Sequence, residues 1–236
     1  MARFLRDPIF QTLIEELYSI KNEKKYREKY KEIEKYVLDS KNPFLAYRLA
    51  LEVNDKKISR KNIEGIIAKY GSPDQIYRYA KYIKNSNISL LQRAIIRSNH
   101  ILYIAMFGAY VDGANKKQIE KIIIETENPK SAYIFMRACD NLDIMKFIPI
   151  ILKSRRPRYL FELAKNIKDI TVIKKIEDLI IAGKSDLYVR LFAKYIDGAD
   201  IKRLEDRMIQ SRNLYEMKRF AKDVKTFRLH KLLNIA

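Results

Sequence analysis

Lys81, Arg137, Lys165, Lys194 and Lys222 stand 56, 28, 29 and 28 residues apart. Cations recurring at a fixed interval along stacked elements would form a ladder of positive groups, and the chemistry open to such a ladder is capture of a polyanion. Arg48, Arg78 and Arg219 sit three residues before the same position in their own repeats and would widen the ridge. Tyr82, Tyr110 and Tyr195 sit one residue beyond it, where their rings could stack on the bases of a single strand. A second cluster, Lys153, Arg155, Arg156 and Arg158, surrounds Pro157. It opposes the dipole of the helix that follows, so an anion there would be favoured. The tail adds Lys218, Arg219, Lys222, Lys225, Arg228, His230 and Lys231.

Enzymatic chemistry has no comparable signal. The sequence lacks a phosphate-cradling glycine loop, a dinucleotide fingerprint, paired metal-binding histidines and a C-x-x-C pair. One cysteine, Cys139, and two histidines, His100 and His230, cannot close a structural zinc site or an internal disulfide. Neither a cofactor nor a small-molecule substrate is expected, and the expected activity is not enzymatic. His100 falls where a helix cap belongs and Cys139 on an apolar column, so both are read as structural.

The elements that position the ladder follow from a repeat. Take as reference Ala50, Ala80, Gly108, Met136, Ala164, Ala193 and Ala221, spaced by 28 residues with small departures. One residue earlier stand Leu49, Tyr79, Phe107, Phe135, Leu163, Phe192 and Phe220. Four earlier and three later, further apolar residues complete the i, i+3, i+4, i+7 stripe of an amphipathic helix. Five residues past the reference come Asp55, Asn85, Gly113, Asn141, Asp169 and Gly198, types that tolerate a left-handed turn. Two residues further, Asn87, Asn115, Asp143, Thr171 and Asp200 are N-caps for a second helix. Asn42, Ser72, Asn128 and Arg156 precede prolines that would open the next first helix. Ser185 and Asn213 hold that cap position without a proline.

Hairpins this short cannot bury an apolar face alone and must stack on neighbours. The expected fold is all-α, an α-α superhelix (solenoid) of stacked two-helix repeats. Residues 1–39 read as a capping hairpin, 40–226 as about 6.5 repeats and 227–236 as a capping helix, all within one continuous domain. The ladder position lies about 150° from the centre of the apolar stripe, so it faces outward. Rungs ~8 to 10 Å apart would each match about three phosphates of a strand rising ~3.4 Å per phosphate. Lysines near a helix C-terminus are also favoured by its dipole, which is a purely structural reason for the same column.

The stretch Tyr188 to Ser211 carries the repeat most fully, with Phe192-Ala193-Lys194, Asp197-Gly198-Ala199-Asp200-Ile201 and Leu204-Glu205-Asp206. Over about residues 40 to 226 the chain resembles HEAT-like α-solenoids and short tandem repeats of bacteriophage and large-virus proteins. That resemblance implies a solenoid and a viral source, and carries no activity.

The formal net charge is +19, from 48 Lys and Arg against 29 Asp and Glu, which favours polyanionic partners. No uninterrupted apolar stretch approaches the ~18 residues of a membrane helix. A cytoplasmic setting is expected, or the host cytoplasm or virion if the source is viral. The leading expectation is non-specific binding of DNA or RNA through phosphate contacts. The alternative is a protein-interaction scaffold or virion-assembly component that docks an acidic partner. A third is a DNA glycosylase of HEAT-like architecture, which the absence of Trp argues against.

Overall fold

A computed structural model of the chain describes residues 7–53, 60–139, 142–225 and 227–233. Among them are sixteen α-helices, one 3-10 turn and no strand, so the fold is all-α. The first helices of successive hairpins are α3 (Pro43–Glu52), α5 (Pro73–Tyr82), α7 (Ile101–Tyr110), α9 (Pro129–Ala138), α11 (Pro157–Ala164), α13 (Asp186–Tyr195) and α15 (Leu214–Val224). The second helices are α4 (Lys61–Tyr70), α6 (Ile88–Arg97), α8 (Lys116–Thr126), α10 (Ile148–Ser154), α12 (Ile170–Ala182), α14 (Ile201–Ser211) and α16 (Phe227–Leu232). Ahead of them lie α1 (Pro8–Ser19) and α2 (Glu23–Ser40).

Contacts divide the chain into two compact units, residues 1–122 and 123–236. In the first, α3 packs on α5 and α5 on α7, while α2 packs on α4 and α4 on α6. This is a two-layer stack in which α3 and α5 each meet their own partners, α4 and α6, and also the equivalent first helix of the next hairpin. In the second unit, α9, α11, α13 and α15 form the same succession. Helical hairpins stacked on their sequence neighbours are the repeat architecture expected from the periodicity.

The residue before each reference position is the centre of the core. Leu49, Tyr79, Phe107, Phe135, Leu163, Phe192 and Phe220 are all fully buried. Cys139 is buried as well, as its column position predicts.

The caps are largely those expected. Asn42 accepts from Phe44 N, Asn128 from Ser131 N, and Ser72 forms a reciprocal box with Gln75. Asn87, Asn115, Asp200 and Asn213 cap α6, α8, α14 and α15. Asn85, Gly113 and Gly198 take positive φ, as expected, while Asp55 and Asn141 lie outside the described residues. Three expectations, on Asp169, Thr171 and Asp143, are corrected, while His100, Arg156 and Ser185 hold the cap positions expected of them. Asp169 is not a left-handed turn residue but the N-cap of α12, accepting from Thr171 N and Val172 N. Thr171 therefore lies inside the helix, because the aspartate two residues earlier starts it first. His100, Arg156 and Ser185 occupy cap positions without making a side-chain cap bond. Asp143 heads only a 3-10 turn, Ile144–Lys146, with no side-chain cap bond; Pro149, which lacks an N–H, then opens the short α10.

Two regularities escape the sequence reading. Ser40, Ser98, Ser154 and Ser211, near the ends of second helices, each donate to the carbonyl three residues back and accept from the N–H two residues ahead. A single hydroxyl thus satisfies a helix end and steers the chain into the next hairpin. On the second helices, Glu64, Gln92 and Glu177 accept the backbone N–H of Asn87, Asn115 and Asp200, the N-cap residues of the next second helix, at 3.2, 2.7 and 2.7 Å. Glu205 accepts instead from Leu229 N, within the first turn of α16, at 3.0 Å. These four acceptors are buried, so each bond lies inside the stack and fixes how far one hairpin is shifted against the next.

Candidate functional site

The ladder requires successive hairpins to pack in one register. Numbered from the reference residue, positions −3 and −5 of adjacent repeats meet repeatedly. In the first unit Tyr77 faces Tyr103, with ring centres 6.4 Å apart. In the second unit Tyr133 stacks on Tyr159 at 4.6 Å, Phe161 meets Tyr188 at 6.0 Å, and Arg190 bonds Glu216 at 2.8 Å. The chemistry of the contact changes from ring pair to ion pair, and the positions do not. Cations sharing one repeat position are therefore presented from equivalent points of neighbouring helices within each unit.

Four residues separate positions −3 and +1 on a first helix, so each ladder cation lies above the residue that makes the inter-repeat contact. In the first unit the Lys81 ammonium donates to the Tyr77 hydroxyl at 3.1 Å and lies over the rings of Tyr77, Tyr82 and Tyr110. The Tyr77 hydroxyl raises its pKa above the usual lysine value, against the opposing effect of desolvation. In the second unit the Lys165 ammonium lies 5.7 Å from the Phe161 ring centre, and the Arg137 guanidinium points at the Tyr133 hydroxyl, 3.4 Å away.

The arginines around Pro157 join this column. Arg156 covers the ring of Tyr159 and Arg158 that of Tyr133, each 5.6 Å from the ring centre. The stacked tyrosines are only 8% and 6% exposed, while Arg137, Arg156 and Arg158 are exposed. Two guanidinium groups thereby lie over one buried ring pair and a third, that of Arg137, reaches the Tyr133 hydroxyl at its edge; among the described residues none of the three is paired with a carboxylate. The Tyr133 hydroxyl raises the pKa of Arg158 further. Arg155, exposed and in the left-handed conformation at φ 50°, closes α10 beside them.

Other predicted positions are occupied differently. Arg78 binds Asp74 one turn back, at 2.8 Å. Arg48 is half-buried, donates to Gln11 and covers Phe10. Lys194 binds Asp223 at 2.9 Å, which raises its pKa, and the same aspartate also pairs with the buried Arg190. Arg219 donates to the Tyr215 hydroxyl at 2.9 Å and Lys222 is exposed. In the tail, Arg228 pairs with Asp206 and the His230 ring meets the Ala221 carbonyl. Lys153 binds Glu127. The ladder is thus backed by aromatic rings at Lys81, Arg137 and Lys165, and by a carboxylate at Lys194.

The aromatic backing is what the sequence reading missed. Its signal was present: Tyr77, Tyr133 and Phe161 each stand four residues before a ladder cation. Among the described residues no His, Cys, Asp and Glu grouping could hold a metal ion, and no helix is long and apolar enough to cross a membrane.

Fold and site together define an all-α protein of stacked two-helix repeats that carries ring-backed cations at one repeated position. No family model, no curated protein and no solved structure matches the chain.

Proposed function

We propose that this chain is a non-enzymatic basic α-solenoid that binds nucleic acid through its phosphates, largely without regard to sequence. The observation that carries the reading is the set of Arg156 and Arg158 over the Tyr133–Tyr159 stack with Arg137 at the Tyr133 hydroxyl. A cation held by a carboxylate presents no net charge to a partner, whereas one held over a ring keeps its charge and loses only mobility. Such a group is ordered in advance for an incoming phosphate, and the cost of ordering it on binding is reduced. The net charge of +19 adds long-range attraction for any polyanion.

The test is fluorescence anisotropy of a labelled oligonucleotide across a salt series. The logarithm of affinity falls linearly with the logarithm of salt, by roughly 0.7 to 0.9 per phosphate neutralised. Exchanging Arg137, Arg156 and Arg158 together for Gln weakens binding to all sequences alike and lowers the slope by about two to three. Binding that persists unchanged to about 0.5 M salt contradicts the reading. Retention of one defined acidic protein by material freed of nucleic acid, with no oligonucleotide binding, favours the scaffold or virion-assembly alternative.

A further inference from the structure

In the first unit, a cavity of about 330 Å³ opens where α5 ends, the chain turns into α6, and α7 ends. Its floor is apolar, from Ala80, Ile83 and Ile88, and its sides include the rings of Tyr82 and Tyr110. Tyr82 and Tyr110 are 52% and 44% exposed. The Lys81 ammonium lies over both, 5.4 and 5.1 Å from their centres. Lys84, Ser86 and Asp112 stand at the rim.

We propose that this cavity receives one unpaired nucleobase of a single strand, placed against Tyr82 and Tyr110, with the adjoining phosphate on Lys81. The inference rests on the nucleic-acid reading above and narrows it from polyanion to single strand. Exposed aromatic faces at both sides of an apolar floor suit a flat, polarisable ring, and every base has such a face. A bare phosphate fits the interior poorly, because the C-terminal ends of two helices bring partial negative charge to it. The anion therefore belongs at the mouth, on the Lys81 ammonium, while the ring goes inside. A duplex keeps its bases stacked and offers no ring to the cavity. The size, near the lower end for ligand pockets, is sufficient for one base with part of its sugar.

The equivalent place at the other end of the chain has a different character. There Lys194 lies over its own Tyr195, and the residue matching Tyr110 is Asp223, which binds the ammonium directly. A carboxylate in that position repels phosphate. The cavity at Lys81 is set apart by carrying tyrosine at both positions.

The experiment compares a single strand of about 12 nucleotides with a blunt duplex of the same length. The proteins are wild type, the Tyr82→Ala/Tyr110→Ala double variant and the Tyr82→Phe/Tyr110→Phe double variant. Single-strand affinity drops at least about five-fold in the alanine variant, stays within about two-fold in the phenylalanine variant, and duplex affinity is unchanged in both. A strand carrying 2-aminopurine loses fluorescence on binding wild type and the phenylalanine variant, because the probe base stacks on a ring. Equal losses on strand and duplex, no loss on either, or absence of quenching by the wild type overturns the cavity assignment and leaves phosphate binding standing. Failure of wild type to bind either oligonucleotide overturns both readings together. Should the alanine variant lose helicity, the quenching by wild type and by the phenylalanine variant decides the matter alone.

Discussion

The carboxylate of Glu177 accepts the backbone N–H of Asp200 at 2.7 Å, from one second helix to the cap of the next. Burial raises its pKa above the usual glutamate value, the opposing hydrogen bond and Arg203 notwithstanding. A carboxyl whose folded pKa is raised holds its proton to higher pH than the unfolded chain does, so stability falls as pH rises from about 4.5 through the folded value. Glu177→Gln keeps the acceptor, as Gln92 does at the matching place, and removes the charge. The expected outcome is a higher denaturation midpoint at pH 7 and a flatter profile above about pH 4.5, read by urea unfolding. Glu177→Leu abandons the Asp200 N–H and loses about 1 to 3 kcal/mol.

Asp223 behaves in the opposite sense. Its bonds to Lys194 and then Arg190 hold its carboxyl below the usual aspartate range, so its contribution is present above about pH 4 and fades as pH falls through the folded value. Asp223→Asn lowers thermal stability, because the buried Arg190 retains only Glu216. In the same variant Lys194 is released, so nucleic-acid affinity at low salt rises and the salt slope steepens by about one unit. A variant that is less stable and binds no better separates Lys194 from the interface.

Tyr79 fills the central core position with a ring whose hydroxyl is buried and has no hydrogen-bond partner among the described residues. Four other repeats place Phe there: Phe107, Phe135, Phe192 and Phe220. Removing an unsatisfied buried hydroxyl while keeping the shape is favourable, so Tyr79→Phe raises stability by about 1 kcal/mol, seen as an increase in Tm. A decrease means the hydroxyl has a partner that Phe cannot replace.

Arg155 adopts φ 50°, a conformation that costs a side-chain-bearing residue about 1 to 2 kcal/mol and glycine nothing. Glycine loses about 0.5 to 1 kcal/mol more chain freedom on folding, so Arg155→Gly gains roughly 0.5 to 1 kcal/mol. It also deletes a cation beside Arg156. Calorimetry and anisotropy on the one variant should move in opposite directions, with Tm up and oligonucleotide affinity down.

Much of the fold is written in the spacing of apolar residues, because each hairpin buries the same stripe against the same neighbours. Leu49, Phe107 and Phe192 are identifiable as core from their period alone. The second-helix hooks escaped notice because a buried Glu or Gln is outwardly identical to a solvated one. Only its separation of 23 residues from the next second helix's N-cap betrays it, as in Glu64 and Asn87. At the candidate site the cations were legible and their counterparts were not. Lys165 and Lys194 look alike in sequence, yet one rests on Phe161 and the other on Asp223, a difference created by the following repeat. The left-handed Arg155 and Arg212 were hidden for another reason: the sequence places no glycine or asparagine where the chain takes that turn.

The hook from one second helix reaches only the hairpin that follows it. Tension applied along such a stack is borne by the buried apolar contacts and short side-chain links between successive hairpins, with no long hydrogen-bonded ladder to share the load. Under pulling, a unit built this way yields hairpin by hairpin, each step freeing about one 28-residue repeat, or roughly 90 to 100 Å of extended chain. Hairpins that reseat on the same hooks after release would make the molecule a reversible spring.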